Sequence, residues 1–198
     1  NSLTNNGSLT IYGDLAGTTS SSTFVNGANS TVSITGNVMS TGTFNVSATN
    51  NTVLYISSTS QTIKLPVSNY YNLVFANSGT KTLAGSITTN GVTISSGTLN
   101  DAGYTLTING STGFTNNGGT YSSTGTVAFT GSSTSQIGGT VATTFNNITM
   151  NNSGGVILNA PTTIDGALTL SNGIITSTST NYLKLTATAT ASAGSAST

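Results

Sequence analysis

Pairs of apolar residues with a single residue between them recur down the whole chain, and no other feature limits its fold so strongly. Their first members are Leu9, Val32, Val53, Leu73, Val92, Leu106, Val127, Ile148, Leu168 and Leu183. Their second members are Ile11, Ile34, Tyr55, Phe75, Ile94, Ile108, Phe129, Met150, Leu170 and Leu185. The i, i+2 spacing marks a strand with one buried face. Steps between first members are 23, 21, 20, 19, 14, 21, 21, 20 and 15 residues, so an equivalent strand returns about every 20 residues. No segment shows helical periodicity.

A longer repeat overlies this one. Residues 70–94 return, at an offset of 75, over residues 145–170: Tyr70 matches Phe145, Leu73 matches Ile148, Phe75 matches Met150, and the run Asn77, Ser78, Gly79 matches Asn152, Ser153, Gly154. VLYISSTSQ (residues 53–61) returns as VAFTGSSTSQ (residues 127–136) with one residue inserted, and SLTIYGDL (8–15) returns as TVSITGNV (31–38). Like matching like at a fixed period is what stacking in register requires. The chain is therefore expected to be all-β, a parallel β-solenoid of about 20 residues per coil with a 75-residue super-repeat. Residues 1–185 form the repeat domain, and 186–198, rich in Thr, Ala and Ser, form a tail or a thin last strand. Ten marks give a rod of about 50 Å at roughly 4.8 Å per coil. Leu3, Phe24, Phe44, Leu83, Leu99, Phe114, Leu158 and Ile175 line the other walls.

Asn-Gly dipeptides at residues 6, 26, 90, 109, 117 and 172 supply positive-φ bends between short strands. Alone they would signal hairpins and an antiparallel sandwich, but sandwich strands recur every 8–12 residues or so. One coil cannot fold by itself. Ordering its backbone costs about 1–2 kcal/mol per residue, and each of its few buried side chains returns about 1.5–3 kcal/mol. Stability must come from neighbouring coils.

Charge excludes several functions. Lys64, Lys81, Lys184, Asp14, Asp101 and Asp165 are the only charged side chains, and the net charge is zero. Such a chain has no basic field to hold a nucleic acid backbone. Without Cys or His it has no disulfide framework and no thiolate or imidazole metal site, and no cofactor is expected. No apolar run approaches the roughly 18 residues of a membrane span. Apolar residues make up 34% of the chain, which opposes disorder, while Ser, Thr and Asn hydrate a neutral surface suited to the outside of a cell. The chain opens on Asn1 without a Met and is read as a processed product or a piece of something longer.

The blocks FNNITMNNSGGVILNAPTTIDGALTLSNGIIT and NLVFANSGTKTLAGSITTNGVTISSGTLN resemble the Ser/Thr/Asn/Gly-rich repeats of very large secreted surface proteins of Bacteroidota-type bacteria, including gliding adhesins. The front, with LTIYGDL and VSITGNV, is similar to the passenger repeats of autotransporters and filamentous haemagglutinin. The resemblance implies a right-handed β-helix, secretion to the cell surface and a non-catalytic role as the stalk of an adhesin or filament. Self-association, or continuation of the same polypeptide as a fibre, is the partner expected, with surface glycans as a further one.

Enzyme chemistry finds little to work with. Asp14, Asp101 and Asp165 are far apart in sequence and stand beside Gly13, Gly103 and Gly166, as turn residues do, whereas a glycosidase needs two carboxyls within about 10 Å. Two binding alternatives stay open. Thr10, Ser33, Thr93, Thr107, Thr149 and Thr169 lie between the inward pairs and point outward as an ice-binding array would, but Leu54, Val74, Ala128 and Lys184 interrupt them. Tyr12, Tyr70 and Tyr121 are placed outward, where they could stack on sugar rings. Leu54 and Ile56 on one coil, with Val74 and Ala76 on the next, form an outward apolar patch. Either a loop (57–60 or 66–70) folds over it, or it is a lateral contact between fibres or protomers.

Overall fold

The computed structural model describes residues 1–192 and Gly194. All regular structure in it is β-strand, and every strand pair is parallel. The chain is a β-solenoid repeat protein of about nine coils, roughly 40 Å long at the usual strand spacing. No hairpin forms among the described residues.

Each coil lays strands on three walls. Wall B has the longest column, in which Leu9, Val32, Val53, Leu73, Val92, Phe114, Ile137 and Leu158 are successive register partners. Wall A begins with Leu3, Phe24 and Phe44. It continues through residues 66–71, where Val67 N–H donates to Phe44 O and Tyr71 N–H to Val46 O. Its later column is Ile87, Leu106, Val127, Ile148, Leu168 and Ala191. Wall C starts at the Leu15–Val38 bridge and carries Gln61, Lys81, Leu99 and Tyr121, then Phe145, Ile164 and Leu185. Strands Ile87–Ile94 and Thr105–Asn116 are long enough to turn the corner, so walls A and B join into one sheet.

Three expectations change in detail. Leu106 does not stack on Val92: Val92 pairs with Phe114, and Leu106 pairs with Ile87 on the adjoining wall. Leu183 likewise pairs with Thr162 on wall C. The short steps of 14 and 15 residues are thus changes of wall, and ten marks give about nine coils. The 75-residue repeat is one of sequence and not of place. Leu73 lies on wall B but its match Ile148 on wall A, and Gln61 lies on wall C but its match Gln136 on wall B. Seventy-five residues make three coils and part of a fourth, so every copied strand lands one wall back. The tail contributes a strand, Thr190–Ala191, paired with Ala167 and Leu168; the rest of the expected tail, residues 193 and 195–198, lies outside the described residues.

The inward columns are dry. Val32, Val53, Leu73, Val92, Leu106, Val127 and Phe129 are fully buried, and aromatic rings stack coil on coil, Phe24 on Phe44 at 5.6 Å and Tyr55 on Phe75 at 6.2 Å between centroids. Phe114, Tyr121 and Phe145 meet at 5.0 to 5.5 Å and tie walls B and C together. Tyr70 and Tyr121, placed outward from sequence, point into this core, while Tyr12 is 87% exposed. The hydroxyls find partners indoors. Lys64 N–H donates to Tyr55 Oη at 3.0 Å, Tyr55 to Tyr70 at 2.9 Å, and Tyr70 to the Lys64 carbonyl. Burial pushes the Tyr55 phenol up to about 12 despite these bonds.

Glycine in the Asn-Gly pairs serves close approach more than positive φ. Of these pairs only Gly118 and Gly173 have φ in the left-handed region, and the left-handed asparagines are Asn29, Asn50 and Asn77. At Gly27 a Cβ would lie 2.5 Å from Asn6 Oδ1 one coil below, and at Gly91 it would lie 2.3 Å from Thr112 Cβ one coil above.

The columns can be tested by contrast across one strand. Phe129→Ala should cost about 3–5 kcal/mol in denaturant unfolding, whereas Ala128→Thr, on the outer side of the same strand, should stay within about 0.5 kcal/mol.

Candidate functional site

Strand alternation places Leu54 and Val74 on the outer side of wall B as direct register partners. Ile56 and Ala76 follow them one step toward wall C, and all four are half-buried. The strip extends to earlier coils, because Thr35 N–H donates to Ile11 O and Ile56 N–H to Ile34 O, which sets Tyr12, Thr35, Ile56 and Ala76 in line. The covering loops considered from sequence lie elsewhere. Residues 66–70 run along wall A, held by Val67 N–H to Phe44 O and, at the next residue, by Tyr71 N–H to Val46 O. Residues 57–60 form the turn between walls B and C and stack on the next such turn, with Asn77 Nδ2 donating to Ile56 O at 2.6 Å and Ser78 Oγ to Ser58 O at 3.3 Å.

The residues between the inward pairs do not share one face. Thr10, Ser33, Leu54, Val74 and Thr93 run along wall B; Thr107, Ala128, Thr149 and Thr169 along wall A; Lys184 is on wall C. A more regular hydroxyl face, missed in the sequence, lies on the outside of wall C. There Thr62, Thr82, Asn100 and Ser122 form one ladder and Thr80, Thr98 and Thr120 a second. The signal was the T-x-T or T-x-N spacing around Lys81 and Leu99, hidden because the inward mark at one of these strands is a lysine.

Near the front of wall C is a groove of about 410 Å³ with an apolar floor of Val38, Ile63 and Leu65 and a polar rim that includes Asp14 and Lys64. Asp14 Oδ1 accepts from Asn37 N–H at 2.7 Å, and Lys64 Nζ donates to Met39 O at 2.6 Å.

The two fully buried charges were not foreseen as such. Lys81 points inward on wall C, and the three N–H donors of its ammonium are shared among four carbonyls, Ala76 O at 2.5 Å, Ser57 O at 2.7 Å, Gly79 O at 3.0 Å and Asn77 O at 3.1 Å. Burial lowers its pKa from the ordinary value. Asp101, read from sequence as a turn residue beside glycine, does receive Gly103 N–H at 3.1 Å, but it is also the anchor of the coil above. Its carboxylate accepts from Tyr121 Oη at 2.8 Å, Thr124 N–H at 2.9 Å, Gly125 N–H at 3.0 Å and Ser123 Oγ at 3.0 Å. Burial alone would raise the Asp101 pKa. Bonds from the Thr124 and Gly103 amides and the Tyr121 and Ser123 hydroxyls outweigh it and hold the carboxyl below its ordinary value. Burial, and after it the neighbouring Asp101 carboxylate, push the Tyr121 phenol well up.

Among the described residues no group of three or more His, Cys, Asp or Glu is placed to hold a metal ion. No helix is long and apolar enough to cross a membrane. No family model, curated protein or solved structure matches the chain.

Because the Asp101 pKa is lower folded than unfolded, its contribution is complete above the ordinary carboxyl range near 3.8 and is lost as pH falls through the folded value. Urea midpoints should therefore fall in acid. Asp101→Asn, which sets an amide NH₂ against backbone N–H donors, should cost about 1–3 kcal/mol at neutral pH and flatten that acid limb. Lys81→Met leaves the carbonyl cage without its donor and should destabilise by at least a similar amount, about 1–3 kcal/mol, in the same assay.

Proposed function

We propose that this solenoid is a structural section of an extracellular rod, the stalk or filament segment of a secreted bacterial surface adhesin, and that it is non-catalytic. The observation that carries the reading is that the core columns run into both end layers. Leu9 and Ile11 in the first coil, and Leu170, Ile175 and Leu183 in the last, pack against the core yet are only partly buried. A parallel sheet edge with apolar side chains behind it pairs readily with a further strand. Each end layer can thus receive another coil, from the same polypeptide or from a second copy, and head-to-tail addition of this kind does not close. A neutral Ser/Thr/Asn surface limits nonspecific electrostatic capture along such a rod. Resemblance to large secreted adhesin repeats supports the extracellular setting.

The half-buried patch of Leu54, Ile56, Val74 and Ala76 is proposed as a lateral contact between rods. Electron microscopy of the native material is expected to show a fibre whose axial repeat is a multiple of about 4.8 Å; compact particles with no continuation would count against the stalk. Leu54→Asn with Val74→Thr should abolish bundling and leave the far-ultraviolet dichroism unchanged. Bundling that survives the double substitution removes the lateral contact and leaves the rod standing.

The hydroxyl ladders of wall C favour a second reading, an ice-binding face, since they are uncharged and repeat in two directions. Thermal hysteresis in dilute solution decides it. The groove beside Asp14 and Lys64 is where a glycan-binding version of the same reading would place its ligand.

A further inference from the structure

Six Asn-Gly pairs occur in the chain, and the fold treats them unequally. Asn-Gly is the dipeptide most open to spontaneous deamidation, because glycine leaves its own nitrogen unhindered. That nitrogen, deprotonated, attacks the Asn side-chain carbon; a C–N bond forms, ammonia leaves, and a five-membered succinimide results. Water then opens the ring to aspartate or isoaspartate, so each event consumes one water, releases one ammonia and adds one negative charge. The reaction needs a side chain free to swing, a glycine N–H not engaged elsewhere, and backbone able to leave its extended shape.

Four of the pairs fail at least one condition. Asn26 is fully buried; its Nδ2 donates to Thr52 O at 3.1 Å, its Oδ1 accepts from Asn5 Nδ2 at 2.8 Å and Ser30 Oγ at 2.9 Å, and Gly27 N–H donates to Asn5 O at 2.8 Å. Asn90 Nδ2 donates to Thr112 Oγ1 at 2.7 Å, and Gly91 N–H to Thr89 Oγ1 at 3.3 Å. Asn6 and Asn117 are exposed, but the glycine after each is held by the preceding asparagine, Gly7 N–H by Asn5 Oδ1 at 3.1 Å and Gly118 N–H by Asn116 Oδ1 at 3.3 Å.

Asn109 and Asn172 differ. Both side chains are exposed and stand outside this network. Both sit where the ladder loses register: Asn109 just beyond Ile108, where pairing with the coil below breaks before Gly113, and Asn172 beside the irregularity that skips Ser171. Asn109 falls in the unpaired stretch between Ile108 and Gly113, whereas Asn172 is the terminal rung of its strand, just past the skipped Ser171, so at both places the backbone can bend with little of the ladder disturbed. The two also share one edge of the rod. Thr130, next to the Phe129 partner of Ile108, pairs with Asn151, and Asn151 pairs with Asn172.

We infer that Asn109 and Asn172 are spontaneous modification sites, converted to aspartate or isoaspartate while the other Asn-Gly pairs persist. Ageing then draws a line of carboxylates along one corner of a rod that starts with no net charge.

The test is incubation of the folded chain at mildly alkaline pH, with peptide mapping by mass spectrometry and native isoelectric focusing. Conversion is expected at Asn109 and Asn172 at least an order of magnitude faster than at Asn26 and Asn90, and faster than at Asn6 and Asn117. Two acidic steps should appear on focusing and vanish in the Asn109→Gln, Asn172→Gln double variant, whose longer side chains close the ring far more slowly. In concentrated urea all six sites should convert at similar rates, which separates protection by the fold from protection by local sequence. Fastest conversion at any of the other four sites in the folded chain, or equal rates at all six, overturns the inference.

Discussion

Every other feature of this molecule depends on parallel backbone pairing of each coil with the next. A strand that pairs in register above and below fixes which residues face inward, and identical alternation on successive coils then builds the columns. Val127, Ile148 and Leu168 form one such column because their strands pair residue for residue. Burial supplies the driving force only after that register exists, since an isolated coil has too few apolar side chains to order itself. Cooperativity accordingly runs along the axis, from coil to coil, more than across a compact core.

Corners pose the opposite problem, because turning the chain pulls backbone groups out of the ladders. The solution is side chains that point inward and bond to the coils on either side. Asn5 Nδ2 reaches Asn26 Oδ1 and Thr31 O, Asn26 reaches Thr52 O, and Asn51 reaches back to Asn26 O at 2.7 Å. Gln61 donates to Ile34 O and Gly36 O, and Asn152 to Ser133 O and Gly155 O. Lys81 and Asp101 belong to the same series, with a full charge in place of an amide dipole. Lys81 faces only carbonyls and Asp101 only donors, so each replaces several weaker partners at one turn. Among the described residues only Asn51 Oδ1 and Ser135 Oγ are buried side-chain atoms without a partner.

That division explains what could be read in the sequence. Alternation reports in against out, so the buried face of nearly every strand was legible, as was stacking, from the return of similar segments. Wall identity was not, because strands on all three walls show the same apolar-x-apolar pattern. Val92 followed by Leu106 looked like a short coil for that reason. Inward polar residues were the other blind spot. Lys81, Asp101 and Asn26 read as solvated or turn residues by type, and only their stacking partners reveal that they face the interior. Tyr70 and Tyr121 were misplaced by the same logic, since a phenol can be buried once a carbonyl or carboxylate is there to receive it. The patch of Leu54, Ile56, Val74 and Ala76 was legible because alternation alone defines it.

The displaced 75-residue repeat shows how little the three walls differ physically. Residues 53–61 carry a strand on wall B, a turn and a strand on wall C; their copy, residues 127–136, carries the same strand and turn from wall A to wall B. Both copies bury the same alternate positions, Val53 and Tyr55 in one and Val127 and Phe129 in the other. A strand-turn-strand unit therefore fits any corner provided its neighbours above and below pair in parallel. The inserted residue and the bulges near Asn90 and Ser171 absorb what mismatch remains. Selection on such a chain acts on alternation and on hydrogen-bonded corners, and leaves the length between copies free to drift away from a whole number of coils.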